Sequence, residues 1–150
     1  MKTSRLWGAG GVGYNSNDDS WETPQALFDE LNAEFGFTLD PCCTPETAKC
    51  ARFFTPDDDG LSQSWAGEVV FMNPPYGREM GEWIQKAFFE ARAGATVVCL
   101  LPARTDTAWW HDYCEKWEYY FLRGRLRFGR SKINAPFPSA VVIFRPGVTS

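Results

Sequence analysis

The sequence lacks a long hydrophobic run: no apolar stretch in its 150 residues reaches the roughly 18 needed to cross a bilayer. Its opening, MKTSRLWGAGG, has no apolar centre of the kind a secretory signal carries, so the expectation is a cytoplasmic protein with no membrane partner. Histidine is almost missing. His111 stands alone in AWWHDY, and one histidine in an aromatic-rich segment reads as packing or surface rather than as a catalytic base. The five cysteines (Cys42, Cys43, Cys50, Cys99, Cys114) are odd in number and irregularly spaced, which suits reduced thiols. Cys42, Cys50, His111 and Cys114 lack the paired short spacings of zinc modules, so no metal is expected. Cys99, inside TVVCLL, reads as a small core residue. Internal repeats and linkers are also missing. The expectation is one domain over 21–150, preceded by a flexible Gly-, Ser- and Asn-rich arm at 1–20. Gly8, Gly10 and Gly13 of that arm match G-x-G-x-x-G literally. No strand pattern precedes them and no helix pattern follows at once, which excludes a dinucleotide fingerprint.

Net positive charge is lacking as well. The total is −4, which by itself argues against a nucleic-acid partner. The distribution argues the other way. Residues 123–132, RGRLRFGRSK, hold Arg123, Arg125, Arg127, Arg130 and Lys132 without an acid. A solvated strand face is one reading of such a run. The other is phosphate contact, since alternate residues of an extended segment share a face and Arg-x-Arg-x-Arg would align three guanidiniums. What is abundant is aromatic: 16% of residues, including seven Trp and twelve Phe, enough for an aromatic core and for platforms under planar ligands.

Periodicity orders the chain. A helix is expected from Thr23 as cap and Pro24 as first helical residue, with Leu27, Phe28, Leu31 and Phe35 as its stripe and Gly36 as its stop. FTLD (37–40) follows as a short strand, then a turn-rich connection from Cys42 to Asp59 with a short helix near 45–51. EVVFM is a strand and REMGEWIQKAFFEARAG a helix with Gly94 as terminator. TVVCLLP (96–102), continuously apolar and β-branched, has the mark of a strand covered on both faces. TDTAWWHDYCEKW reads as a helix capped by Thr105 or Asp106, and EYYFL, RLRF and SAVVIFR as the last strands. Strands alternating with helices predict a parallel α/β sheet, and the helix-free end predicts an antiparallel edge hairpin. Ligands of open α/β sheets sit at the carboxyl ends of strands near a topological switch. Asp40-Pro41, Asn73-Pro74 and Pro102 to Arg104 all fall at such ends.

One stretch carries chemistry. The apolar strand VVFM runs into Asn73-Pro74-Pro75-Tyr76, where two prolines fix φ and stiffen the turn that displays an amide and a ring. An aromatic amine is a poor nucleophile because its lone pair is delocalised. Acceptors on its hydrogens favour pyramidal nitrogen and stabilise the charge that develops as it is alkylated. Asn73 Oδ1 and the Pro74 carbonyl are the candidate acceptors, Pro75 adds rigidity and Tyr76 offers a stacking face.

The motif resembles that of S-adenosylmethionine-dependent amino methyltransferases, which act on adenine N6, cytosine N4 or protein glutamine N5. The ordered strings TPQALFDELNAEFGFTLDPC, FFTPDDDGLSQSW, NPPYG, LLPARTDTAWWHD, FLRGRLRFG and PFPSAVVIF look like the phage-encoded DNA adenine-N6 methyltransferases over roughly residues 21–145. The resemblance implies a Rossmann-like class I methyltransferase sheet, S-adenosylmethionine as cofactor, a flipped adenine in double-stranded DNA as substrate and GATC as recognition sequence. It assigns Asn73, Pro74, Pro75 and Tyr76 to catalysis. Thr23, Pro24, Asp40 and Pro41 go to the cofactor pocket, with Asn73 at its edge. Asp40 would meet the methionyl ammonium. Among Asp57, Asp58 and Asp59, Asp59 is the choice for the cofactor's ribose or adenine edge. Arg104 joins Arg123, Arg125, Arg127, Arg130 and Lys132 as candidate DNA contacts. The chain departs from larger methyltransferases in having PCCTPE where a glycine-rich turn stands in them. A protein glutamine-N5 methyltransferase, a non-catalytic DNA-binding protein of this fold and a plain nucleotide-binding α/β protein are the rivals. Monomer and homodimer stay open.

Overall fold

The computed structural model describes residues 22–129 and 134–147; the arm expected at 1–20 lies outside them. The run TVVCLLP becomes strand β4 (Thr96–Pro102), fourth in a six-stranded sheet. The others are β1 (Leu39–Asp40), β2 (Arg52–Phe53), β3 (Val69–Met72), β5 (Glu118–Phe121) and β6 (Ser139–Phe144), in the order β2-β1-β3-β4-β6-β5. β2, β1, β3 and β4 run parallel, and β6 lies antiparallel between β4 and β5. The expected edge hairpin is therefore present, with β6 on its inner side.

Both faces of the sheet are covered, which is why β4 has no polar face to alternate. Val97, Cys99 and Leu101 point with Ala140 and Val142 towards helix α2 (Met80–Arg92), whose Met80, Trp83, Ile84 and Ala87 complete that layer. Val98 and Leu100 point the other way with Phe71, Val141 and Ile143, against Phe28 and Leu31 of helix α1 (Gln25–Phe35). Gly36 ends α1 as expected: at φ 69° it turns left-handed and its N–H reaches Asn32 O.

Several local expectations give way. Pro24 is the N-cap of α1 rather than its first helical residue, and Thr23 makes no capping bond. Residues 45–47 form a turn instead of a short helix, held by the paired hydroxyls of Thr44 and Thr47. Thr107, not Thr105 or Asp106, caps the segment after β4, since its Oγ1 accepts the Trp110 N–H. That segment widens into a π-turn at Trp110–Cys114, which buries both of those residues, with Trp110 packed against Tyr119 and Phe121 of β5. RLRF joins no strand. Its alternation survives all the same: Arg123, Arg125 and Arg127 are exposed while Phe128 is buried.

The chain passes from β1 outward to β2 and returns past β1 to β3, after which it proceeds to β4. The direction of winding thus reverses between β1 and β3, so their adjacent carboxyl ends flank the switch point.

Candidate active site

Leu39 pairs with Val70, so Asp40 lies level with Phe71 and the next residues of both strands leave the sheet together. Cys42 ties the two exits: its Sγ donates to the Asn73 carbonyl at 3.4 Å. Burial pushes the Cys42 thiol well above its ordinary range, keeping it protonated and fit to donate. Gly60 packs closely on Pro41. A Cβ there would lie 2.2 Å from Pro41 O, a distance only glycine avoids.

Asp40 is buried, 4% exposed. Loss of water raises its carboxyl from 3.8 to about 6, and the backbone N–H groups of Lys49 and Cys42 pull against that rise. The Lys49 N–H meets Oδ2 at 3.0 Å. The Lys49 side chain is itself covered, its Nζ reaching Gln25 Oε1 at 2.8 Å and Glu22 Oε2 at 3.3 Å, so the start of α1 is anchored beside Asp40. Sequence reasoning passed over Lys49, because no local pattern marks a lysine that is paired across the fold.

Thr23 comes to the same place. It is buried, and its Oγ1 accepts from Asn73 Nδ2 at 3.0 Å. Pro41, Pro74 and Pro75 are buried and Pro24 half-buried, and each stiffens the chain where it stands. Asp57, Asp58 and Asp59 lie on an exposed turn beyond β2. Asp58 is committed to that turn, its Oδ2 accepting from Thr55 N at 2.8 Å and Thr55 Oγ1 at 3.1 Å. Asp59 stands at φ 57°, a left-handed conformation that costs free energy in a non-glycine residue and presents it beside Gly60. Among the described residues no group of three or more His, Cys, Asp or Glu is placed to hold a metal ion.

Tyr76 sits in an aromatic corner, its ring centroid 5.2 Å from Phe137 and 6.3 Å from Phe128. Arg104 lies over Phe137 at 5.8 Å. Phe128 and Phe137 were not singled out from the sequence, although the first alternates with the arginines in RLRFG. The segment is also pinned through its backbone: Gly129 N–H reaches Glu22 O, and Ala135 N–H reaches Leu126 O. Arg123, Arg125 and Arg127 are thus held on the surface of a strip whose buried side touches the Asn-Pro-Pro-Tyr ring. Arg130 and Lys132 lie outside the described residues.

The chain matches the sequence family described as DNA N-6-adenine-methyltransferase (Dam) over residues 13–144. It belongs to that family. This Dam-family protein is 29% identical over 141 residues to the DNA N-6-adenine-methyltransferase of Haemophilus phage HP1, covering 87% of the present chain and 81% of the phage protein. Similarity to the enzyme of the same name in Escherichia phage T1 is 30% over 96 residues, 63% of this chain and 40% of that protein. A putative methyltransferase of Escherichia coli K12, YfdM, is 37% identical over 65 residues, 39% of this chain and 71% of its own length. No helix among the described residues of the Dam-family protein is long and apolar enough to cross a membrane.

Proposed function

We propose that residues 21–150 form one methyltransferase domain that transfers a methyl group from S-adenosylmethionine to the N6 amine of an adenine flipped out of duplex DNA, in the cytoplasm. The family supports the reaction. The observation that carries the choice of DNA is the strip at 123–128: its arginines face out while Phe128 packs on Tyr76, so phosphate-binding charge is joined to the amide-and-ring motif. A protein glutamine substrate would use the same motif without needing that strip.

The residues at the switch point fit the cofactor. The buried Asp40 carboxyl suits an ammonium, since a cation beside it would offset the burial that now raises its pKa. Pro41, Thr23 and Pro24 border the same space, and Asp59 is the free-standing acid for a ribose or adenine edge. Bound there, S-adenosylmethionine supplies an electrophilic methyl on a sulfonium, the chemistry no side chain provides. Asn73 Oδ1 and the Pro74 carbonyl accept from the two N6 hydrogens, drawing the nitrogen out of conjugation towards the methyl. As N6 would take the methyl, the S–CH3 bond would break with its electron pair kept by sulfur, which leaves as a neutral thioether, and positive charge would grow on the amine. The two fixed acceptors stabilise that charge, and the surplus proton then leaves to water. Tyr76 holds the base plane, and Arg104 with the strip holds the backbone from which the base was turned.

The test is labelled methyl transfer to duplex DNA followed by digestion to nucleosides, with GATC-containing duplexes first. The expected product is N6-methyladenine. Label on a peptide glutamine with none in DNA would overturn the reading.

A further inference from the structure

An asparagine amide has two ends of similar shape and opposite hydrogen-bonding sense. Only the oxygen end serves the reaction. An Nδ2 turned towards the adenine amine would set donor against donor, and the acceptor pair that activates N6 would be halved. Proline neighbours fix the backbone of Asn73 but say nothing about which way its amide is turned.

In the structure the nitrogen end of Asn73 meets Thr23 Oγ1 at 3.0 Å, with the hydroxyl, which can also donate, serving as acceptor. Strand alternation sends Asn73 to the same face as Phe71, which is the face that α1 covers. Thr23 stands two residues ahead of α1, one before the Pro24 cap position, and α1 has no side-chain capping bond. Its hydroxyl instead accepts from Asn73 Nδ2, across 50 residues of sequence, with Thr23 at 4% exposure. The anchor itself is held firmly. Pro24 follows it, and Glu22 before it accepts the Gly129 N–H through its carbonyl and binds Lys49 through its carboxylate.

We infer that Thr23 is a positioning residue for methyl transfer: by holding Nδ2, it turns Oδ1 of Asn73 to the substrate amine. This rests on the amino-methyltransferase reading above, and it gives Thr23 a role towards Asn73 separate from any contact with cofactor. Thr23→Val keeps the shape and removes the acceptor; Thr23→Ser keeps the acceptor. In single-turnover methyl transfer with saturating S-adenosylmethionine, the Val variant is expected to lose roughly 10- to 100-fold in rate, in the range that misplacement of a catalytic group costs. Because Thr23 also borders the proposed cofactor space, S-adenosylmethionine affinity is measured separately for each variant, and the Ser variant keeps most of the rate. An unchanged rate in the Val variant, or a loss explained by weaker cofactor binding, overturns the inference. A second readout does not depend on activity. The two side-chain Nδ2 protons of Asn73, followed by nitrogen-15 NMR, should be widely split in the wild type and in Thr23→Ser and should draw together in Thr23→Val. If they do not respond, the inference fails whatever the enzyme methylates; if they respond while no DNA is methylated, the hydrogen bond stands and the functional reading falls.

Discussion

At the scale of single residues, the proposed function gives Asn73 and Asp40 different work, so they should fail differently. Asn73→Ala removes a fixed acceptor from a nitrogen gaining charge. By analogy with removal of one preorganised hydrogen-bonding group, the rate constant for transfer should fall by roughly 100- to 1,000-fold. Cofactor affinity, measured by calorimetry, should change little, because the amide acts on the base. In the proposed function, Asp40 lies on the cofactor's side of the switch point. Its carboxyl titrates near 6, and the ionised form is the one that attracts an ammonium. Affinity for S-adenosylmethionine should therefore rise as pH increases through about 6 and level off above it. Asp40→Asn should flatten that profile and weaken binding throughout; a wild-type affinity independent of pH between 5 and 8 would remove Asp40 from the ammonium site.

At the scale of elements, the decisive pieces are a turn and a strip, not the regular helices and strands. The Asp59-Gly60 turn presses on Pro41 so closely that a Cβ at Gly60 would stand 2.2 Å from the Pro41 carbonyl oxygen. Gly60→Ala must push the turn away or break it. Overpacking of this kind costs about 1–3 kcal/mol, to be read from denaturant unfolding, with a parallel loss of cofactor affinity. The strip at 123–128 should behave as a phosphate tracker. Replacing Arg125 and Arg127 together by Ala should weaken DNA binding and lower the slope of log K against log salt by about 1.8, at about 0.9 per phosphate contact. Phe128→Ala is a sharper probe of the element, because it leaves every charge in place. If Phe128 aligns the arginines with Tyr76, methyl transfer should fall in that variant even at saturating DNA.

At the scale of the whole molecule, charge and pH act through the same few groups. The chain carries −4 overall, so on the proposed reading attraction to DNA comes from the local basic strip against an acidic background and should be lost steeply with salt. For stability, the folded-state pKa of Asp40 lies above its unfolded value, so the folded chain holds more protons than the unfolded one between about pH 4 and 6. The contribution is full below that window and is lost as pH rises through it. At about 1.4 kcal/mol per unit, the loss is about 3 kcal/mol. Thermal unfolding should therefore show Asp40→Asn gaining on the wild type above pH 6, and S-adenosylmethionine should raise the wild-type midpoint more at pH 7.5 than at pH 5.

The sequence by itself determined everything that depends on near neighbours along the chain. It set the apolar runs that became β3 and β4, Gly36 as the stop of α1, the alternation that exposes three arginines, and the rigid Asn73-Pro74-Pro75-Tyr76 exit. Each rests on the geometry of one or a few consecutive residues, and so each was legible. The expected helix at 45–51 gave way to a turn held by the Thr44–Thr47 pair, and the helix expected at 105–117 is present but shortened and widened where Trp110 stacks on β5. The strand at RLRF failed where Phe128 packs on Tyr76. Only the tertiary structure decided which residues share the site. It placed Thr23 on Asn73, Lys49 beside Asp40, Cys42 on the Asn73 carbonyl and Gly60 under Pro41. None of those pairs follows from spacing along the chain. They exist because two parallel strands wind in opposite directions from a common point and bring residues far apart in sequence to the same carboxyl end.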